Sequence, residues 1–386
     1  MVVGYGTQKK VNVTGAVGMV DSKVIAARPV QNVSQALQGV IPGLNLTVGN
    51  SGGSLDGEMN INIRGTGTIG DGSGSSPLVL IDGIEGNLNT VNPNDIESVS
   101  VLKDAASAAV YGARGAFGVI LITTKKPVQE RVRINYNGSF SVNRRTVLWE
   151  DNLVTDGLVW LDNFVNFFQN DTRTPTSSGK IPGNVNNRSD TYSEAYHEEF
   201  RRRHEAGDTN PWGMTDNGNY AYYGSTNWID LFYKDYNTAQ THNLSLSGSG
   251  EKVSWSLSGR YYNQDGIYKI GDETFKTYNL RAMGEMKLNK WLTLENNTSV
   301  FKRKYHQPMV AGGSQPLLRQ FEHRGQPIYT PYNEDGTLTF YGASVMYGAF
   351  QDGSSYQENN ELNLVTTTAL NFEPIKNVLK VRGDFT

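Results

Sequence analysis

The sequence predicts an α+β domain followed by the antiparallel strands of an incomplete transmembrane β-barrel. Three observations predict it. Between Asn60 and Lys126, short apolar runs alternate with turns and one alanine-rich helix, the habit of a small mixed unit. From Val132 onward, segments of about a dozen residues alternate apolar and polar side chains, long enough to cross a bilayer as tilted strands. The connections between those segments alternate short and long, as they do on the two sides of an outer membrane.

Composition removes several classes. The 386 residues contain no cysteine, which excludes disulfide frameworks and cysteine-ligated metals. The longest apolar runs, Leu78 to Ile81 and Val119 to Ile122, are too short for a membrane-spanning helix. A net charge of −3 carries no nucleic-acid footprint. The 42 glycines and 20 tyrosines suit turn-rich β structure better than helical bundles. No secretory leader is visible, and Met1 runs straight into VVGYGTQKK, which reads as the interior of a longer chain.

The first domain is assigned to residues 1–128. Val2 to Gly6 is apolar and glycine-rich, an extended segment. Asn32 and Gln35 form a weak capping box for a helix from Ser34 to Val40, stopped at Ile41-Pro42-Gly43. Leu44 to Val48 and Met59 to Arg64 alternate as strands. Leu78 to Ile81 is a short buried strand with Asp82-Gly83 as its turn, and Asn92-Pro93-Asn94-Asp95 opens another turn. Val99 to Leu102 and Phe117 to Thr124 are further strands. Between them Asp104 caps a helix from Ala105 to Tyr111, with Gly112 as its stop.

Candidate chemistry in this domain is thin. Gly65, Gly67 and Gly70 match a dinucleotide-binding glycine pattern, but DGSGSSP follows, and no helix opens there to receive a pyrophosphate. Asp82, Asp95 and Asp104 read as turn and cap residues rather than catalytic carboxylates, and Glu97 has no telling partner. Arg64 and Arg114 sit beside glycines at element ends, where they could pair with carboxylates of the strands beyond. No nucleophile–base pair, metal cluster or cofactor motif stands out, so no catalytic residue, cofactor or metal is expected.

Residues 129–386 carry the long strands. Val132, Ile134, Tyr136, Gly138, Phe140 and Val142 share one face, against Arg133, Asn135, Asn137, Ser139, Ser141 and Asn143. The pattern returns over 253–261 and 278–288, and more weakly over 240–249, 291–303, 361–372 and 378–386, about seven strands by period-two matching. A half-buried soluble sheet alternates in the same way. The connections favour a barrel: long over about 144–239 and 304–360, medium at Gln264 to Thr274, and short at Gly250 to Lys252, Asn289-Lys290 and Glu373 to Asn377. Seven strands do not close such a barrel, and an open edge is not tolerated in lipid. The alternating run stops at Asp384-Phe385-Thr386, so the chain is expected to be part of a larger protein that does not transport by itself.

Several stretches carry a family resemblance: VVGYGTQKK (2–10), QALQGVIPGLNL (35–46), INIRG (61–65), PLVLIDG (77–83), NPNDIESVSVLKDAASAAVYGARGAFGVILITTKK (92–126) and STNWIDLFYKDYNTAQTHNLSLSGSG (225–250). The sequence resembles the SusC/RagA-like branch of the TonB-dependent outer-membrane transporters, densely from residue 2 to about 140. Phe117 departs from the asparagine usual before GVI. The resemblance implies a plug inside a large barrel, importing an oligosaccharide or peptide with energy from the TonB–ExbB–ExbD system. A SusD-like surface lipoprotein would cap the barrel, and outer-membrane lipid would surround it. On this likeness Val2, Val3, Gly4, Tyr5 and Gly6 lie at the TonB-engaging segment. Arg64, Gly65, Asp82, Gly83, Asp104, Tyr111, Gly112, Arg114 and Gly115 are the plug motif residues.

The first long connection is aromatic. Trp149, Trp160, Trp212, Tyr222 and Tyr223 are candidates for substrate or partner contact, because aromatic faces stack on sugars and pack against peptides. The competing reading is a small core within the loop itself, with helices over Leu153 to Phe168 and Tyr192 to His204. Trp228 and Tyr233 precede a strand and read as interfacial girdle residues. Two other functions compete with import: a receptor that signals across the envelope, and a secreted β-rich enzyme or binding module.

Overall fold

The computed structural model describes residues 2–3, 6–7, 17–26, 28, 30–49, 54–63, 65, 76–127, 132–144, 153–170, 194–215, 218, 220–308, 325–344, 353–375 and 378–386. A two-residue pair comes first, β1 (Val2–Val3) against β2 (Gly6–Thr7). The N-terminal unit then forms a five-stranded sheet in the order β3 (Val17–Asp21), β8 (Ile96–Leu102), β9 (Val119–Thr124), β6 (Leu78–Ile81), β7 (Ile84–Glu85). A separate hairpin pairs β4 (Leu44–Val48) with β5 (Met59–Ile63).

The continuous apolar run of β9 follows from its place. It is parallel to β6, antiparallel to β8, and covered on both faces, so it needs no polar side. Ile120 and Ile122 enter one core with Ile96, Val99 and Val101, closed by Ile25 of α1 (Ser22–Ala26), Leu37 of α2 (Val33–Leu37) and Leu46 of β4. Val119 and Leu121 enter the other with Leu80, Leu102 and Ala108 of α3 (Ala105–Ala108). At roughly 1.5–3 kcal/mol for each fully buried aliphatic side chain, these two layers outweigh any single cap or turn.

Local signals set the ends of these elements. Asp82 and Gly83 join β6 to β7 with φ of 51° and 93°, the two-residue turn that matches strand twist. Asn32 caps α2 by accepting from the Gln35 amide at 3.0 Å. The box is not reciprocal, because Gln35 Oε1 accepts from the Gln31 amide instead. Asp104 Oδ1 accepts from the Ser107 amide at 2.8 Å and starts α3. The helix is shorter than the sequence predicts: α3 ends at Ala108, and a 3-10 path over Ala109–Gly115 breaks at Gly112, whose φ of 59° and ψ of −146° no helix passes through.

The first long connection holds α4 (Gly157–Asn170), α5 (Glu194–Glu205), a small hairpin of β11 (Trp212–Met214) with β12 (Tyr220–Tyr222), and α6 (Trp228–Phe232). On either side runs a seven-stranded antiparallel meander: β10 (Arg133–Arg144), β13 (Tyr236–Ser249), β14 (Val253–Asp265), β15 (Thr274–Lys287), β16 (Leu292–Pro308), β17 (Tyr356–Ile375) and β18 (Leu379–Phe385). A second long connection between β16 and β17 carries α7 (Phe340–Ser344).

The polarity of this sheet is inverted relative to a soluble one. Its apolar face is bare: Ile134, Tyr136, Phe140, Leu244, Leu280, Leu362 and Leu364 are exposed, Leu364 at 66%. Its polar face is covered: Asn243, Ser258, Arg260 and Thr277 are buried, Arg260 at 6%. Water would reverse that arrangement; lipid outside and protein inside account for it. In β15 the bare face runs from Tyr278 towards Leu288, close to the roughly 9–11 residues a tilted spanning strand needs. Polar residues that interrupt the band satisfy one another: Asn296 Nδ2 donates to Thr368 Oγ1 at 3.0 Å, and the Thr298 and Thr366 hydroxyls lie 2.8 Å apart. Trp255, Trp291 and Phe372 stand at the short-turn end, Trp291 edge-on to Phe372 at 5.3 Å, as an aromatic girdle would. Among the described residues no helix is long and apolar enough to cross a membrane.

Candidate functional site

The covered face of the meander meets the N-terminal unit along one polar seam. Strand pairing sets it out in rows. Asn243, Arg260 and Asn279 face one another across β13, β14 and β15, and Ser258 faces Arg281 in the next row. Arg260 donates through Nη1 and Nη2 to the carbonyls of Gln31 (3.0 Å) and Val30 (2.9 Å), between α1 and α2. Its ring of support is Tyr262, 5.0 Å below the guanidinium, and the Thr241 hydroxyl at 3.2 Å. Asn279 Nδ2 donates to Thr90 O at 2.8 Å, and Asn92 Nδ2 donates to Asn243 Oδ1 at 2.8 Å.

Two carboxylates of the unit point into the seam. Asp82 Oδ1 accepts from the Thr124 amide at 2.9 Å and Oδ2 from its hydroxyl, which ties the β6–β7 turn to the end of β9. On the wall side Asn297 Nδ2 donates to Asp82 Oδ2 at 3.2 Å, and Arg281 Nη2 stands 3.6 Å away. Arg281 also donates to Thr124 Oγ1 and, at 3.2 Å, to Lys125 O. Asp95, on the 3-10 turn Pro93–Asp95, accepts from the Ser258 hydroxyl at 2.7 Å. Burial pushes the Asp95 carboxyl above its ordinary range; the Ser258 hydrogen bond, then the Arg281 charge, Asn92 and Lys125 oppose the shift.

A second contact lies nearer the long connections. Leu55 packs against Ala239, Tyr262, Phe275 and Tyr305. The Ser54 hydroxyl donates to Tyr305 Oη at 3.1 Å, and Tyr305 donates to Glu273 Oε1 at 2.9 Å. Asn359 Nδ2 donates to Asp56 Oδ2 at 3.1 Å. Burial raises the Glu273 carboxyl, while bonds from Tyr305 and the Ile267 amide pull the other way.

The two long connections fold on each other. Leu161, Tyr196, Phe200, Trp228, Phe232 and Ile328 share a buried core. Trp228 Nε1 donates to Gln326 O at 2.9 Å, and the Thr226 amide to Pro327 O at 2.8 Å. Glu199 takes Arg202 and Arg203 at 2.7 Å; the Arg202 bond first, then Arg203 against partial burial, hold its carboxyl down to about 2. His197 pairs with Asp162 at 2.5 Å, and no metal-holding group of His, Asp and Glu occurs among the described residues.

A unit hydrogen-bonded to the covered face of an inside-out sheet is the geometry of a plugged outer-membrane barrel, and comparison with known proteins agrees. Residues 9–119 match the family model of the TonB-dependent Receptor Plug Domain. TonB-dependent receptor P39 of Formosa agariphila is 30% identical over 328 residues, 80% of this chain and 27% of its own length. TonB-dependent receptor SusC of Bacteroides thetaiotaomicron is 36% identical over 155 residues, 37% of this chain and 15% of its own. The RagAB peptide importer in its open-open state aligns over 100% of this chain and 41% of that chain, with a TM-score of 0.71 and 27% identity. The chain belongs to the SusC/RagA-like TonB-dependent receptors. It spans about a quarter of the P39 receptor, 27%. Receptors of this family are outer-membrane proteins.

The plug motif residues fall into separate roles. Asp82 and Gly83 make the turn at the seam, and Asp104 caps α3. Tyr111 packs on the smaller plug core, Gly112 breaks the helical path, and a Cβ on Gly115 would meet Ala108 O at 2.9 Å. Gly65 has φ of 99°. Arg114 pairs with Glu85 inside the plug and not with the barrel wall, because β7 places that carboxylate beside it. Arg64, Gly4, Tyr5 and Trp149 lie outside the described residues, as do Gly67 and Gly70; Val2, Val3 and Gly6 belong to β1 and β2.

Among the loop aromatics, Trp160 stacks on Phe164 at 5.1 Å and is half-buried. Trp212 stacks on Tyr220 and meets Tyr222 edge-on, both at 5.2 Å. Tyr223 is buried on Tyr196 at 4.9 Å, under Arg203. Trp228 and Tyr233 are not girdle residues: α6 turns them into the loop core, where they are 4% and 5% exposed. The seam residues Arg260, Asn279, Arg281 and Asn297 escape sequence reasoning as a site. Their one signal is charge or carboxamide on the polar side of an alternating strand, with no hint of the partner.

Proposed function

We propose that this chain forms the plug and part of the barrel of a receptor that imports an oligosaccharide or peptide across the bacterial outer membrane. Energy comes from the TonB–ExbB–ExbD system, and a SusD-like lipoprotein closes the outer mouth. The observation that carries this reading is the inverted sheet, apolar face bare and polar face bonded to the plug through Arg260, Asn279 and Arg281. The plug is residues 1–128 and the barrel portion 129–386. Val2, Val3, Gly4, Tyr5 and Gly6 form the TonB-engaging segment, where a short pair of strands offers an edge to the partner.

Arg64, Gly65, Asp82, Gly83, Asp104, Tyr111, Gly112, Arg114 and Gly115 keep the plug in shape and seated. Trp149, Trp160, Trp212 and Tyr222 contact substrate or lipoprotein, with Tyr223 supporting them from the loop core. The test is purification of the full-length protein in detergent from outer membranes, with mass spectrometry of whatever accompanies it. A stoichiometric lipoprotein and a bound glycan or peptide support import; recovery from the soluble fraction without a partner removes it.

A further inference from the structure

At the seam the barrel wall is a stripe of donors. Arg260, Asn279, Ser258, Arg281 and Asn297 each give hydrogens to the plug, at 2.7 to 3.2 Å in the contacts with Asp82, Asp95 and the carbonyls of Val30, Gln31, Thr90 and Lys125. Asn243, which accepts from Asn92, is the exception. The plug thus presents to this wall the acceptors of a polypeptide: main-chain carbonyls and side-chain carboxylates. The Arg260 fork takes two successive carbonyls, a match to main chain in particular. Rows of inward residues recur every second position, about 6.6 Å apart at the usual strand rise. Alternate carbonyls of an extended peptide recur at nearly the same interval. A neutral sugar chain offers hydroxyls that both give and accept, and no carboxylate to meet the Arg281 guanidinium, which stands 3.6 Å from Asp82.

Any passage through the lumen requires the plug to vacate part of this wall, which leaves Arg260 and Arg281 without their acceptors. We propose that the stripe is a transit site for peptide: an extended, acidic peptide takes up the acceptor positions that the plug leaves. This deepens the import reading above and rests on it.

The test uses the full-length receptor in cells with its own partner proteins and three labelled probes: an acidic octapeptide, the same peptide with its carboxylates amidated, and a neutral glucan of similar size. Wall variants Arg260→Gln and Arg281→Gln are compared with plug variants Asp82→Asn and Asp95→Asn, which loosen the same seam from the other side. Arg281→Gln, which loses the guanidinium facing a carboxylate, should lower uptake of the acidic peptide relative to the amidated one by about tenfold, the scale of a lost charge-assisted hydrogen bond, and Arg260→Gln, which loses a grip on main-chain carbonyls, should lower uptake of both peptides alike. The plug variants should leave that ratio at the wild-type value. Arg281→Ser carries the comparison if the glutamine variant fails to assemble, and Arg281→Lys, which keeps the charge, should hold the ratio near the wild-type value. Equal ratios in Arg281→Gln and the plug variants would mean the stripe only seats the plug. A wild type that takes up the glucan and not the peptide would also overturn the proposal. Loss of all TonB-dependent uptake in the wild type, with recovery of the protein from the soluble fraction, would instead remove the import reading itself.

Discussion

Arg281 on the inward face of β15 stands 3.6 Å from Asp82 at the tip of the β6–β7 turn, and one plug residue thereby joins three things. It closes its own turn, anchors the end of β9 through Thr124, and seats the plug on the wall through Asn297 and Arg281. Asp82→Ala removes all of these acceptors and leaves the donors partly buried. The plug should lose about 1–3 kcal/mol, the usual cost of an orphaned polar group. Hydrogen exchange at the Thr124 amide in the detergent-solubilised receptor reads it directly. Unchanged protection there would show that the turn holds without its carboxylate.

Asp95 should make plug seating depend on pH. Its carboxyl is raised above the ordinary 3.8 when docked, chiefly by burial, and exposing it to water as the plug leaves the wall relieves that shift. The docked plug therefore binds a proton more readily than the free one. Seating is strongest below the ordinary value and weakens as pH rises through the raised one. Urea midpoints of the plug should fall across that window in the wild type and stay flatter in Asp95→Asn. A midpoint that climbs with pH in the wild type relative to the variant would reverse the sign.

Gly118 enters β9 with φ of 91°, and a Cβ there would meet Ile63 Cδ1 at 2.7 Å and Leu102 O at 3.0 Å. Gly118→Ala combines left-handed strain with a clash against backbone, and should cost the plug about 1–3 kcal/mol. Denaturant unfolding of the purified receptor measures it, and a neutral result would mean the β5 hairpin shifts freely.

Trp228 binds the two long connections together through its buried ring and its bond to Gln326 O. Trp228→Ala should cost that loop core about 3–5 kcal/mol while leaving the sheet intact. Limited proteolysis should then cut within 153–233 or 325–344 far faster than in wild type, with the heat-modifiable barrel retained. Equal cutting rates would mean the two loops stand independently.

The seven strands were legible because lipid outside and polar plug inside impose period two over a dozen residues, as from Val132 to Asn143. The Asp82-Gly83 turn, the Asn32 cap and the Asp104 cap were legible for the same local reason: side chain and backbone partner lie within a few positions. The seam was not. Arg260 grips a carbonyl 230 positions away, and a main-chain carbonyl leaves no mark in sequence. Trp228 misled in the opposite sense. Its nearness to β13 suggests a membrane rim, but a single helical turn, capped by Asn227, rotates it into the loop core.

This sheet is inside out, and the chain has no cysteine of its own to compete with a probe placed on it in a receptor freed of any other cysteine. Single cysteines placed in turn at Glu361, Leu362, Asn363 and Leu364 of β17 in the full-length receptor would carry a fluorophore into vesicles containing brominated lipid. The fluorophore at 362 and 364 should be strongly quenched, and at 361 and 363 it should not. Quenching at none of the four, or at 361 and 363 instead, would contradict a lipid-facing apolar side and the plugged barrel with it.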